Sequence, residues 1–92
     1  MKVKVDGQDM KLTVGKYAHG SAMSVEIEAG GEPYAVLSVN MHEAPAAGCF
    51  WLKSWSENEE IARELKAQGV YELTGRAIQA GYAVAYEARL VK

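Results

Sequence analysis

Alternation of apolar and polar residues dominates the first third of the chain. Val3-Lys4-Val5, then Asp6-Gly7, then residues 8–14 read as a β-hairpin, because Asp-Gly is a strong two-residue type I′ turn signal. The turn sets the register: Val5 faces Gln8, Lys4 faces Asp9 and Val3 faces Met10. Met10, Leu12 and Val14 then share the core face with Val3 and Val5. Residues 15–20 are a connection. Residues 21–28 alternate again, with Met23, Val25 and Ile27 toward the core and Ser24, Glu26 and Glu28 toward water.

After a Gly30-Gly31 turn, Pro33 opens residues 34–40. These are apolar on both faces, which predicts a central strand. Residues 41–48 read as a loop broken by Pro45, and residues 49–53 as a short strand. Residues 70–73 are extended, and Thr74-Gly75-Arg76 reads as a turn. In the last strand, residues 82–91, Tyr82, Val84, Tyr86, Ala88 and Leu90 line one face. Ala83, Ala85, Glu87 and Arg89 line the other.

Only residues 55–69 carry the start, period and stop of a helix. Ser56 is the predicted N-cap, and Glu59 three residues later completes a capping-box pattern. Glu57, Glu59 and Glu60 place negative charge at the positive end of the helix dipole. Glu59 and Arg63 have the spacing of a favourable pair. Gly69 suits the left-handed position past the end, with Leu65 and Val70 in the contact of a Schellman stop. Ile61, Ala62 and Leu65 form a narrow apolar face, suited to a helix lying on a sheet. The expectation is one α+β domain over residues 1–92: a mostly antiparallel sheet of five to six strands with one helix packed on one face.

Composition narrows the function classes. The 92 residues suffice for one core, burying roughly 60–65% of the unfolded surface. Net charge is 10 − 12 = −2, so there is no basic footprint for direct nucleic-acid binding. No apolar run reaches the about 18 residues of a membrane span. No leader is visible, and Cys49 stands alone, which excludes an internal disulfide. A cytoplasmic location is expected.

Candidate chemistry is sparse. A Cys–His pair would draw on Cys49 with His42 or His19, but no orienting group or oxyanion donors accompany them. His42-Glu43 lacks further metal ligands nearby, and Gly30-Gly31 is not a phosphate loop. No catalytic, metal or cofactor residues are therefore assigned. The remaining candidates form a protein-binding surface: Trp55, Glu57, Asn58, Glu59 and Glu60 at the helix start, and Arg76 in its turn. The acidic turn on its own reads first as a solvated, dipole-matched helix start and only second as a partner-binding patch.

Several motifs occur in order: Glu32-Pro33-Tyr34, Ser38-Val39-Asn40, the run from Phe50-Trp51-Leu52-Lys53 through Ser54-Trp55-Ser56-Glu57-Asn58-Glu59, Thr74-Gly75-Arg76 and Ala80-Gly81-Tyr82. Together, over residues 32–91, they resemble a family of small, uncharacterised proteins carried by phage, plasmid and other mobile-element genomes of bacteria. That family often has an apolar residue soon after the motif's second Glu, where this chain has Glu60 and only then Ile61. The resemblance implies no catalytic residues. It implies an accessory protein of a mobile element, acting on a bacterial protein partner. Its most specific form is an anti-CRISPR inhibitor occluding a Cas effector. The alternative is a structural or regulatory accessory domain, for instance a homodimer joined at a sheet edge.

Overall fold

The computed structural model describes residues 1–18 and 22–91. His19, and Ser21 at the start of a predicted strand, lie outside the described residues. The chain is α+β: the described residues form one α-helix and two four-stranded antiparallel sheets rather than a single sheet of five to six strands. The first sheet has the order β1 (Lys2–Val5), β2 (Gln8–Lys16), β3 (Met23–Ala29) and β4 (Glu32–Val36). The second contains β5 (Ser38–Val39), β6 (Cys49–Leu52), β7 (Tyr71–Ala80) and β8 (Ala83–Leu90), in the order β5-β6-β8-β7. The helix α1 spans Glu59–Ala67. Among the described residues, no helix is long and apolar enough to cross a membrane.

The first hairpin has the predicted register: Val3 opposes Met10, Lys4 opposes Asp9 and Val5 opposes Gln8. Asp6 and Gly7 both have positive φ, as a type I′ turn requires. Lys4 and Asp9 pair at 3.5 Å across the exposed face. Val3, Val5, Met10 and Leu12 are buried, but Val14 is exposed, in the part of β2 that extends beyond its pairing with β1.

The predicted central strand is instead split at Leu37. Its N–H donates to the Val25 carbonyl at 2.8 Å, and its carbonyl accepts from the Lys53 N–H at 2.7 Å. Residues on either side thus belong to different sheets. β4 is an outer strand of the first sheet and β5 an outer strand of the second. The bend lets one sheet cover the other. Val25 and Ile27 share a core with Leu37, Phe50, Leu52 and Ala88. A single open sheet would leave that apolar area wet. Pro33 sits in the outer strand opposite Glu28, beside an irregularity between Ile27 and Glu28, a place where a strand tolerates proline.

Residues 74–76 are not a turn. They are an irregularity inside the ten-residue β7, where pairing with β8 shifts register between Leu73 and Ala77. Gly75, at φ 101°, supplies a conformation that other residues adopt only with strain. The short extended segment expected at residues 70–73 is the first part of this longer strand.

The helix touches β1 and β7 and presents Ile61, Ala62 and Leu65 to the core. It also ties down the edge of β1. Gln68 accepts from the Lys4 N–H at 3.0 Å and donates to the Lys4 carbonyl at 2.6 Å, and Glu64 accepts from the Asp6 N–H at 3.1 Å. The stop is the predicted one. Val70 N–H donates to the Leu65 carbonyl and Gly69 N–H to the Lys66 carbonyl, both at 3.0 Å, with Gly69 at φ 73°. Gly69→Ala should cost about 1 kcal/mol in a urea melt, since no atom crowds the new methyl and only backbone strain is added. A neutral result would show that the stop relaxes freely.

Candidate functional site

The helix start differs from the predicted capping box. Ser56 has φ 56° and begins a one-turn 3-10 segment, Ser56–Asn58. The α-helix proper starts at Glu59, and neither segment has a side-chain cap hydrogen bond. A tertiary link overrides the local signal. Asn58 is 1% exposed, and its Nδ2 donates to the carbonyls of Val36 at 2.6 Å and Lys53 at 3.1 Å. Asn58 is therefore a buried strut between β4, the end of β6 and the helix, not the exposed contact expected of it. Two carbonyl acceptors fix which end of the amide is nitrogen. That leaves Asn58 Oδ1 buried with no hydrogen-bond partner.

Beside β4 and α1 lies a groove made of two adjoining pockets of about 290 Å³ each, which share Tyr34 and Glu57; Asn58 borders one of them. One side is β4, with Tyr34 and Val36 exposed. The other side carries Glu57, Glu60 and Glu64 from the helix start, with Ile61 between them. Asp6 and Lys53 complete the charges. The lining thus holds four carboxylates and one ammonium, −4 + 1 = −3. Lys53 donates to Glu57 at 2.9 Å, and this hydrogen bond holds the Glu57 carboxyl below its ordinary range. Glu60 pairs with Arg63 at 2.8 Å.

Of the predicted contact residues, the groove brings together Glu57, Asn58 and Glu60. Trp55 is half-buried and lines neither pocket. Glu59 is exposed and faces Arg63 at 4.0 Å. Tyr34 and Val36 were missed, because their segment was read as a central strand. The signal was present: Pro33 beside them marks an outer strand, whose residues more often meet a partner.

Arg76 belongs to a second assembly that sequence reasoning did not foresee. Glu87 lies, as the alternation has it, on the face of the last strand opposite Ala88 and Leu90, yet it is 1% exposed. Its carboxylate accepts from Thr74 Oγ1 at 2.5 Å, from Arg76 Nη1 at 2.8 Å and from the Ala46 N–H at 2.8 Å. These hydrogen bonds hold the Glu87 carboxyl below its ordinary range, Thr74 first, against the opposing effect of burial. Arg76 also pairs with Glu43 at 3.0 Å and lies 5.5 Å over the Trp51 ring. Trp51 Nε1 donates to the Glu43 carbonyl at 2.7 Å. Loop 41–48 is thus pinned across the outer face of the second sheet, covering Trp51 and Glu87. Arg76 is a clamp for that loop rather than a free anchor. Arg89 and Glu72 form a further exposed ion pair on this sheet.

A thiol–imidazole centre is not assembled by the described residues. Cys49 is buried, and burial, with Glu87 nearby, pushes its thiol above the ordinary value. The pocket beside it, about 220 Å³, is lined by Ala22, Met23, Pro45, Ala46, Ala47 and Gly48, while His42 is exposed on the loop. Among the described residues, no group of three or more His, Cys, Asp or Glu side chains is placed to hold a metal ion.

The groove, then, is the surface whose shape and charge stand out together. No family model, curated protein or solved structure matches the chain.

Proposed function

We propose that this chain works by binding a protein partner through a basic surface of that partner, as an accessory protein of a bacterial mobile element. The most specific form of this reading is an inhibitor that occludes the nucleic-acid-binding surface of a Cas effector. The observation that carries it is the groove of net charge −3 beside exposed Tyr34 and Val36. Surfaces that hold nucleic acid are rich in Lys and Arg, so carboxylates flanked by an aromatic ring complement them. The resemblance to mobile-element proteins supplies the biological setting. The mechanism is occlusion by surface complementarity, without turnover.

Co-purification with Cas effectors over a salt series tests the proposal. A stoichiometric complex that weakens as salt rises is expected, because charge-led contacts are screened. Absence of a complex with nucleases or other nucleic-acid machinery would discard the inhibitor reading. Reversing Glu57 and Glu60 together to Lys should leave the fold nearly intact, since both side chains are exposed. The same change should weaken such a complex by about tenfold or more. Unchanged affinity would reduce the acidic turn to solvated surface.

A second reading has its own observation. β7 is an outer strand, exposed along most of its length. Such a strand can pair with a second copy and make a homodimer with an accessory, non-inhibitory role. Sedimentation of the purified protein decides this: a monomer at all concentrations removes it.

A further inference from the structure

We infer that the arm formed by the second half of β7 and the start of β8, residues 77–86, is where two copies of this chain pair, edge to edge about a two-fold axis at Ile78. This rests on the outer-strand reading of β7 above and names its segment and register. Among the described residues, β1, β4, β5 and β7 lie at the outside of the two sheets, and the first three are guarded. β1 is tied to the helix through Gln68 and Glu64. β4 carries Glu32 and Pro33, and its Val36 carbonyl accepts from Asn58. β5 is only two residues long. β7 is guarded over its first half alone, by Glu72, Arg76 and the irregularity around Gly75. From Ala77 to Tyr86 no residue is charged and none is proline. Ala77 and Gln79 are exposed, and Ile78 is half-buried.

The backbone of this arm has a fixed phase. Gly81 and Tyr82 form a two-residue turn, with Gly81 at φ 65°. Such a turn closes on a hydrogen-bonded pair, here Ala80 with Ala83, and alternation makes Ile78 with Ala85 the next. Ala77 and Gln79 oppose Tyr86 and Val84 in the non-bonded pairs between, so their N–H and C=O groups point away from β8. One antiparallel register uses both residues of both copies: Ala77 of each opposite Gln79 of the other. Each of those pairs exchanges two N–H···O=C bonds, and Ile78 meets its own counterpart on the axis.

A second copy fits this edge better than a foreign strand does. A two-fold axis sets like residues near like, and like charges there would repel, but this arm has none. A foreign strand chosen by its charge finds nothing on the arm to choose. The contact is short, ended by the irregularity at Gly75 on one side and the turn on the other, so the dimer is weak.

Sedimentation equilibrium of the intact protein, up to about 1 mM, tests this. A dimer with a dissociation constant on the order of 0.1 mM is expected. Raising the salt should leave it unchanged, because the contact holds no ion pair, whereas the effector complex proposed above weakens. Ile78→Lys sets two ammonium groups face to face and should weaken the dimer about tenfold. Gln79→Pro removes an N–H that the fold itself does not use and should weaken it to a similar degree, with little change in Tm. The register has its own readout. Under mild oxidation Ile78→Cys should join the copies by a disulfide across the axis. Gln79→Cys, which faces Ala77 of the second copy rather than its own counterpart, should do so at least about fivefold more slowly. Cys49 is buried and common to both variants. A protein that stays monomeric to about 1 mM overturns the inference together with the homodimer reading, and leaves the arm to a foreign strand. A dimer that neither Ile78→Lys nor Gln79→Pro weakens, or that Gln79→Cys locks as fast as Ile78→Cys, overturns this segment and register alone and keeps the homodimer.

Discussion

Leu65→Ala is expected to lower the unfolding free energy by about 3–4 kcal/mol, with a fall in Tm of roughly 15–20 °C. Leu65 is fully buried in the core shared by Val3, Val5, Ile61, Val70 and Tyr71. Its loss removes transfer free energy and leaves a void that these neighbours close only in part. Three features hold the walls of that void apart. Tyr71 Oη donates to the Ala62 carbonyl at 2.8 Å, Gln68 clasps Lys4, and Val70 hangs from the Leu65 carbonyl. Ile61→Ala, slightly nearer the surface at 8% exposure, should cost about 2 kcal/mol. Urea melts in which both changes cost less than about 1 kcal/mol would show that this helix face is not buried.

Glu87→Ala should cost about 2–3 kcal/mol. Removing one partner of a buried ion pair is generally worth more. Here the Arg76 side chain is 47% exposed and recovers some hydration when its partner goes. The remaining cost falls on the Ala46 N–H, the Thr74 hydroxyl and the loop they anchor. The acid dependence is diagnostic. The folded Glu87 carboxyl titrates below its unfolded value, about 4.3. Its stabilising contribution is therefore fully present above that pH and is lost as pH falls through the folded value. The stability gap between the protein and its Glu87→Gln variant should be constant near neutrality and shrink in acid. A gap that stays unchanged through the acid range would mean that the ionised carboxylate is not what pins the loop.

These two residues also mark how far the chain could be read unaided. Leu65 lay on a helix whose period and glycine stop are local properties, and the first hairpin was legible because Asp6-Gly7 sets its own register. The burial of Glu87 was not legible, because alternation reports which residues share a face, not whether that face is covered. A clue lay in Cys49-Phe50-Trp51-Leu52, apolar on both sides and buried on both, which demands a second cover. Loop 41–48 provides it. The helix start was misread because Asn58 serves distant carbonyls rather than its own turn. The split at Leu37 has no local signature, since it arises where two sheets share one segment. Within the candidate site, Glu57 and Glu60 were legible from their charge and position. Tyr34 and Val36 became visible only once β4 was placed at the outside of its sheet.

The clasp between Lys4 and Gln68 joins residues 64 positions apart. During synthesis at about 5–20 residues per second, its two halves leave the ribosome several seconds apart. The N-terminal hairpin can form at once, but through that interval the outer edge of its first strand is uncovered. The nascent chain is most vulnerable to sticking to a neighbouring nascent chain then, and emergence of the helix closes that interval.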